Sequence, residues 1–168
     1  MPDWITPAVA VLSIFVTFIL GQWQTTKLDE RRAAREQYDT FYGPFIAKVY
    51  AHALWAGHYA QLEIKHQTAI LDLIMDNVVL LDAESVRYVN GFYEAFLVMA
   101  NHITMRQTSV ENADKIYVDN LNTNFNQLAM ALLRQSILLS EKVHRPPVAK
   151  FALEKYSQTE ARRTNNTL

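Results

Sequence analysis

The chain contains no cysteine. That excludes a disulfide scaffold, a zinc finger, a thiolate nucleophile and a cysteine-ligated cluster. Glycine is scarce too: four in 168 residues, none in a GxGxxG or GxxxxGK pattern, so a Gly-rich phosphate loop is not expected. Nor is there an excess of either charge. Sixteen lysines and arginines face 17 aspartates and glutamates, and a net charge of −1 excludes the basic footprint of a nucleic-acid binder. Half of the chain is hydrophobic and 20% is charged, which suits one folded domain with an appendage rather than a disordered polymer.

Ionisable side chains are missing altogether from Trp4 to Thr26. Ile5 to Leu20 reads ITPAVAVLSIFVTFIL, bracketed by Trp4 and Trp23. At 1.5 Å per helical residue the tryptophans stand roughly 28 Å apart, close to the hydrocarbon thickness of a bilayer whose interfaces tryptophan favours. The segment 4–23 therefore predicts a transmembrane helix, with Trp4 and Trp23 as interface anchors and the lipid bilayer as a partner. Lys27, Arg31, Arg32 and Arg35 follow the segment, and no lysine or arginine precedes it. The positive-inside rule then places the N-terminus outside the inner (plasma) membrane and the remainder in the cytoplasm. Thr6, Ala10, Ser13, Thr17 and Gly21 form one small-residue stripe, which suits close packing of helices in lipid or the lining of a narrow pore.

After Trp23 no convincing period-two alternation appears, so the expected fold class is all-α. The layout predicted is a transmembrane helix (4–23), a charged helical stem (24–43), an antiparallel bundle of about four helices (44–145), and a short helix with a disordered polar tail (146–168). Gly43-Pro44 is read as a break that restarts the chain as a helix over 44–66, with seam Ile46, Tyr50, Ala53, Gly57, Ala60 and Ile64. A shorter helix spans 69–81. Asp82 caps the next, whose seam is Val86, Val89, Tyr93, Phe96, Ala100 and Ile103. Residues 106–114 connect to a long helix reaching about His144, with seam Val118, Leu121, Phe125, Leu128, Leu132, Gln135 and Leu139. Asn120, Asn122, Asn124 and Asn126 weaken its intrinsic helicity, so tertiary packing must hold it. The final short helix runs from Val148 to Tyr156.

Candidate chemistry is sparse. Glu63-x-x-His66 and Glu141-x-x-His144 match the paired Glu-x-x-His recipe of a di-iron bundle, with Glu36 and Glu94 as nominal further ligands. Ile64 and Lys142, not the Glu–His pairs, hold the extrapolated seam positions, which argues against inward-facing ligands. No metal, cofactor or catalytic residue is therefore assigned, and the four Glu and His residues stand as an alternative metal site. His52, His58 and His102 sit in apolar helical surroundings, where a structural histidine is the commoner outcome. Asp72, Asp76, Asp82 and Glu84 are expected on a solvated face and its cap. Glu63 to Asn120 carries nine acidic and four basic residues, whereas Leu121 to the end carries seven basic and three acidic. Such opposite regions suit pairing within or between copies.

The charged stem with Arg31-Arg32 and Tyr38-Asp-Thr-Phe-Tyr-Gly-Pro-Phe45 resembles small single-pass bacterial membrane proteins of prophage or phage-defence type. The layout is also similar to the membrane accessory proteins of RNA-guided RNA-targeting systems, which form pores and carry a divergent nuclease-type bundle. The Arg-(four to six residues)-His signature of that nuclease class is absent, because nine residues separate Arg134 from His144. The functional expectation is a non-enzymatic, membrane-anchored homo-oligomer acting by pore formation or membrane perturbation, or by recruiting a cytosolic partner. A membrane-tethered metal-binding bundle is the alternative.

Overall fold

A computed structural model of the chain describes residues 22–56, 59–106 and 114–165. Its regular structure is helical, with no strand among the described residues. Helix α1 (22–37) passes through a wider π turn, Tyr38–Tyr42, directly into α2 (Gly43–Ala51). After two 3₁₀ turns, Leu54–Ala56 and Tyr59–Gln61, come α3 (Ile64–Asp76), a 3₁₀ turn Val78–Leu80, α4 (Ala83–Arg106), α5 (Lys115–Lys142) and α6 (Ala149–Asn165).

The expected membrane placement is corrected. Among the described residues no helix is long and apolar enough to cross a membrane, which overturns the single-pass, inner-membrane reading. The physical reason lies in the helices themselves. Lys27, Asp29, Glu30, Arg31, Arg32, Arg35 and Glu36 punctuate α1, and charges in hydrocarbon cost about 2.5–3.5 kcal/mol each on insertion scales. Residues 4–21 of the expected span, including Trp4 and the stripe Thr6, Ala10, Ser13, Thr17 and Gly21, lie outside the described residues. Trp23 begins the charged helix instead, 57% exposed with the Lys27 ammonium 3.5 Å from its ring centroid.

Gly43-Pro44 does not break the chain. In a regular α-helix the proline ring would press on the carbonyl four residues back and leave it without a donor. The π turn absorbs this misfit: the Gly43 N–H reaches five residues back to the Tyr38 carbonyl. A Cβ on Gly43 would stand 3.3 Å from that oxygen, so the absence of a side chain permits the approach. The domain boundary expected at 43/44 thus falls inside one continuous rod, whose residues from Ala34 onward already enter the core.

The expected helix over 44–66 ends early, at Ala51. Ala53 takes a left-handed backbone (φ 46°), and the chain winds back through the two 3₁₀ turns. A straight helix would carry Tyr59 about 15 Å beyond Val49. The fold instead keeps Tyr59 in the core, stacked on Phe125 (4.1 Å between centroids) and edge-on to Phe92 (5.4 Å). Buried polar groups fasten the turn. Asn122 accepts the Ala60 N–H (2.8 Å), and Gln67 donates to the Ala60 and Leu62 carbonyls (3.0 and 2.8 Å). The expected seam accordingly fails at Tyr50, Ala53 and Ile64, all exposed, while Phe45, Val49, Leu54 and Tyr59 are buried.

Helix α5 is central. Its expected seam is buried at Leu121, Phe125, Leu128, Leu132 and Leu139, and a second buried line, Asn122, Asn126, Ala129, Leu133, Ser136 and Ser140, faces other neighbours. Helix α4 lies antiparallel along α5, because Glu84 at its start meets Arg134 (3.6 Å) and His102 near its end stacks on Tyr117 (4.3 Å). Its buried face is Ser85, Val89, Phe92, Ala95 and Met99; Val86 and Tyr93, expected inside, are 41% and 38% exposed. The α4 register is therefore rotated by about one position from the expected seam. Helix α6 packs back on α5 through Ala149, Ala152 and Tyr156 and continues to Asn165. Most of the tail expected to be disordered is thus helical. Back-bonds from Ser157 to the Leu153 carbonyl and from Thr159 to the Lys155 carbonyl, each 3.0 Å, accompany the extension.

Candidate functional site

The two Glu-x-x-His pairs occupy different ends of the molecule. Glu63 directly precedes α3 rather than ending a helix, and its exposed carboxylate meets Lys65 at 2.5 Å. That hydrogen bond and charge hold Glu63 below the ordinary carboxylate range. The neighbouring Tyr59–Gln61 turn sits beside Asn122 of α5. Glu141 lies nineteen residues further along α5, about 28 Å away at helical rise. One ion cannot be shared across that span. Among the described residues, no group of three or more His, Asp or Glu side chains is arranged to hold a metal ion. Glu36 and Glu94 are exposed.

Each half has its own surroundings. The His66 imidazole lies 4.6 Å from that of His52, at the α2–α3 corner. Burial first, then His66 and Lys48, lower the His52 pKa from its ordinary value. At the opposite end, Glu141 and His144 line a cleft of about 640 Å³ between α1 and α5, with Lys27, Arg31, Gln135 and Lys142. His144 ends α5 in a left-handed conformation (φ 57°). Its N–H donates to the Glu141 carbonyl (3.2 Å) and the Arg145 N–H to the Ser140 carbonyl (2.8 Å), which is the hydrogen-bond pattern of a Schellman cap. Arg145 then clamps the π turn through Asp39 (2.6 Å), with its guanidinium 5.4 Å from the centroid of the Tyr38 ring.

A more apolar concavity lies elsewhere. Between α2 and the start of α6 runs a groove of about 760 Å³, lined chiefly by Ile46, Ala47, Tyr50, Pro147, Val148 and Phe151. Two aromatic rings line it, and a third, Trp55, packs against both. Tyr50 meets Trp55 edge-on (5.2 Å) and stacks with Phe151 (6.4 Å), while Trp55 and Phe151 meet edge-on (6.0 Å). The Tyr50 hydroxyl donates to the Val148 carbonyl (2.7 Å) and fixes the two walls together. Phe151 is 50% exposed and Val148 48% exposed, so this apolar surface is presented to solvent rather than spent on the core.

Phe151 drew no attention in the sequence, although a signal was present. Ala149, Ala152 and Tyr156 supply the buried stripe of α6, and Val148, Phe151 and Lys155 form a second stripe beside it. Beside its buried stripe, α6 thus presents Val148 and Phe151 as apolar surface that its own bundle does not cover. Tyr50, placed by spacing in a buried seam, is 39% exposed and belongs to this surface. No protein-family model, curated protein or solved structure matches the chain.

Proposed function

We propose that this chain is a non-enzymatic binding protein, a helical bundle that recruits a protein partner through the aromatic groove between α2 and α6. The observation that carries the reading is the exposed pair Tyr50 and Phe151, backed by the partly buried Trp55, on helical walls. Aromatic side chains in a preformed depression give large contact area at small entropic cost, and such residues dominate binding energy at protein interfaces. The titratable side chains fit this role. Glu63, His102 and Arg145 are engaged with Lys65, Asp114 and Asp39, which accounts for them structurally. Partner recruitment is the branch of the sequence expectation that this groove supports.

The test is a solvent-sensitive apolar dye added to the purified full chain at high dilution, where self-association is least. Phe151→Ser removes an exposed ring, so the melting temperature should stay close to that of the parent while most of the dye enhancement disappears. Undiminished dye binding in Phe151→Ser would remove the groove from consideration as a binding surface.

A further inference from the structure

We propose that the occupant of the α2–α6 groove is the same groove of a second copy of this chain, with the two α6 helices antiparallel across a two-fold axis near Phe151. The inference rests on the groove being a binding surface and names its partner. Its first support is charge. Lys150 and Glu154 both line the groove, one helical turn apart, and neither is engaged in an ion pair among the described residues. In an antiparallel helix pair, positions that sum to a constant lie opposite one another. The register centred at the level of Ala152, next to Phe151, sets Lys150 of each copy against Glu154 of the other, and the two contacts repeat by symmetry. A self-complementary patch is what an isologous dimer requires. A foreign helix would have to supply the matching charges from its own sequence; here the chain supplies them to itself.

The second support is shape and chemistry. Val148 and Phe151 are half exposed on α6 beside the Tyr50 and Trp55 rings, so two-fold contact sets aromatic surface against aromatic surface. This gives an apolar centre with a polar rim, the usual anatomy of a protein interface.

Sedimentation of the purified full chain over a range of concentrations tests the inference. A dimer is expected, weakened about tenfold by Lys150→Glu or by Glu154→Lys, because each substitution sets like charges against one another. The combined Lys150→Glu/Glu154→Lys chain exchanges both signs and should recover the parent affinity, which a merely structural defect would not do. A monomer at every concentration, or a dimer indifferent to these exchanges, overturns the inference. The dye experiment separates the two failures. A monomer with Phe151-dependent dye binding keeps the groove as a surface for another partner, whereas a monomer without it removes both readings.

Discussion

Polar residues in the core decide where this backbone turns. Asn122 and Gln67, 4% and 1% exposed, complete the hydrogen bonds of the Tyr59–Gln61 turn. Asn122→Ala leaves the Ala60 N–H without its acceptor in the core, and chemical denaturation should show a loss of about 1–3 kcal/mol. Tyr156 is the opposite case. Its hydroxyl is buried without a hydrogen-bond partner among the described residues, and burial raises its pKa. Tyr156→Phe removes that buried hydroxyl, so its stability should equal or exceed the parent's by up to about 1 kcal/mol in the same measurement. The asparagine row was legible as a place where packing overrides propensity. Which asparagine served a distant turn was not, because the bond from Asn122 to Ala60 spans 62 positions. The Glu-x-x-His pairs failed for a related reason: spacing within each motif is local, but metal binding needs two motifs to converge in space.

Helix boundaries depended on whether their signals were local. The start of α4 after Asp82 and most of the seam of α5 were legible and stand, although Asp82 Oδ1 is buried without a hydrogen-bond partner among the described residues rather than capping the helix. The end of α2 was not legible, because Ala53 in a left-handed conformation bears no sequence mark. Gly43-Pro44 misled in the other direction, since a π turn lets one helix run through it. The C-terminus of α5 offers a direct test of an element. Position 144 has the left-handed geometry that glycine adopts freely, yet histidine occupies it. His144→Gly should stabilise the bundle by about 1 kcal/mol, read as a raised thermal midpoint. An unchanged or lowered midpoint would mean that the imidazole earns its place through contacts in the α1–α5 cleft.

The whole molecule has a pH window set by groups at its corners and in its core. The folded-state pKa of His52 lies below its ordinary value of 6.5, so the stability tied to its neutral form is present above pH 6.5 and lost as pH falls through the folded value. Tyr42, Tyr59 and Tyr156 titrate well above their ordinary 10.0, chiefly through burial. Their contribution is complete below pH 10 and declines as the unfolded chain ionises above it. Thermal midpoints should therefore form a plateau between these limits, and His52→Gln should flatten the acid shoulder alone. The all-helical class was legible across the molecule from period and composition; the membrane placement was not sustained, because the described helices carry charge along their length. One feature joins the distant ends. From residue 22 to Ala51 the chain is a single shaft about 45 Å long, exposed at its tip and ending in the floor of the aromatic groove. Its sole irregular step is the π turn, braced by Arg145. From Ala34 onward that shaft is packed into the core, so the exposed tip and the groove that Ile46 and Tyr50 line are two ends of one packed body.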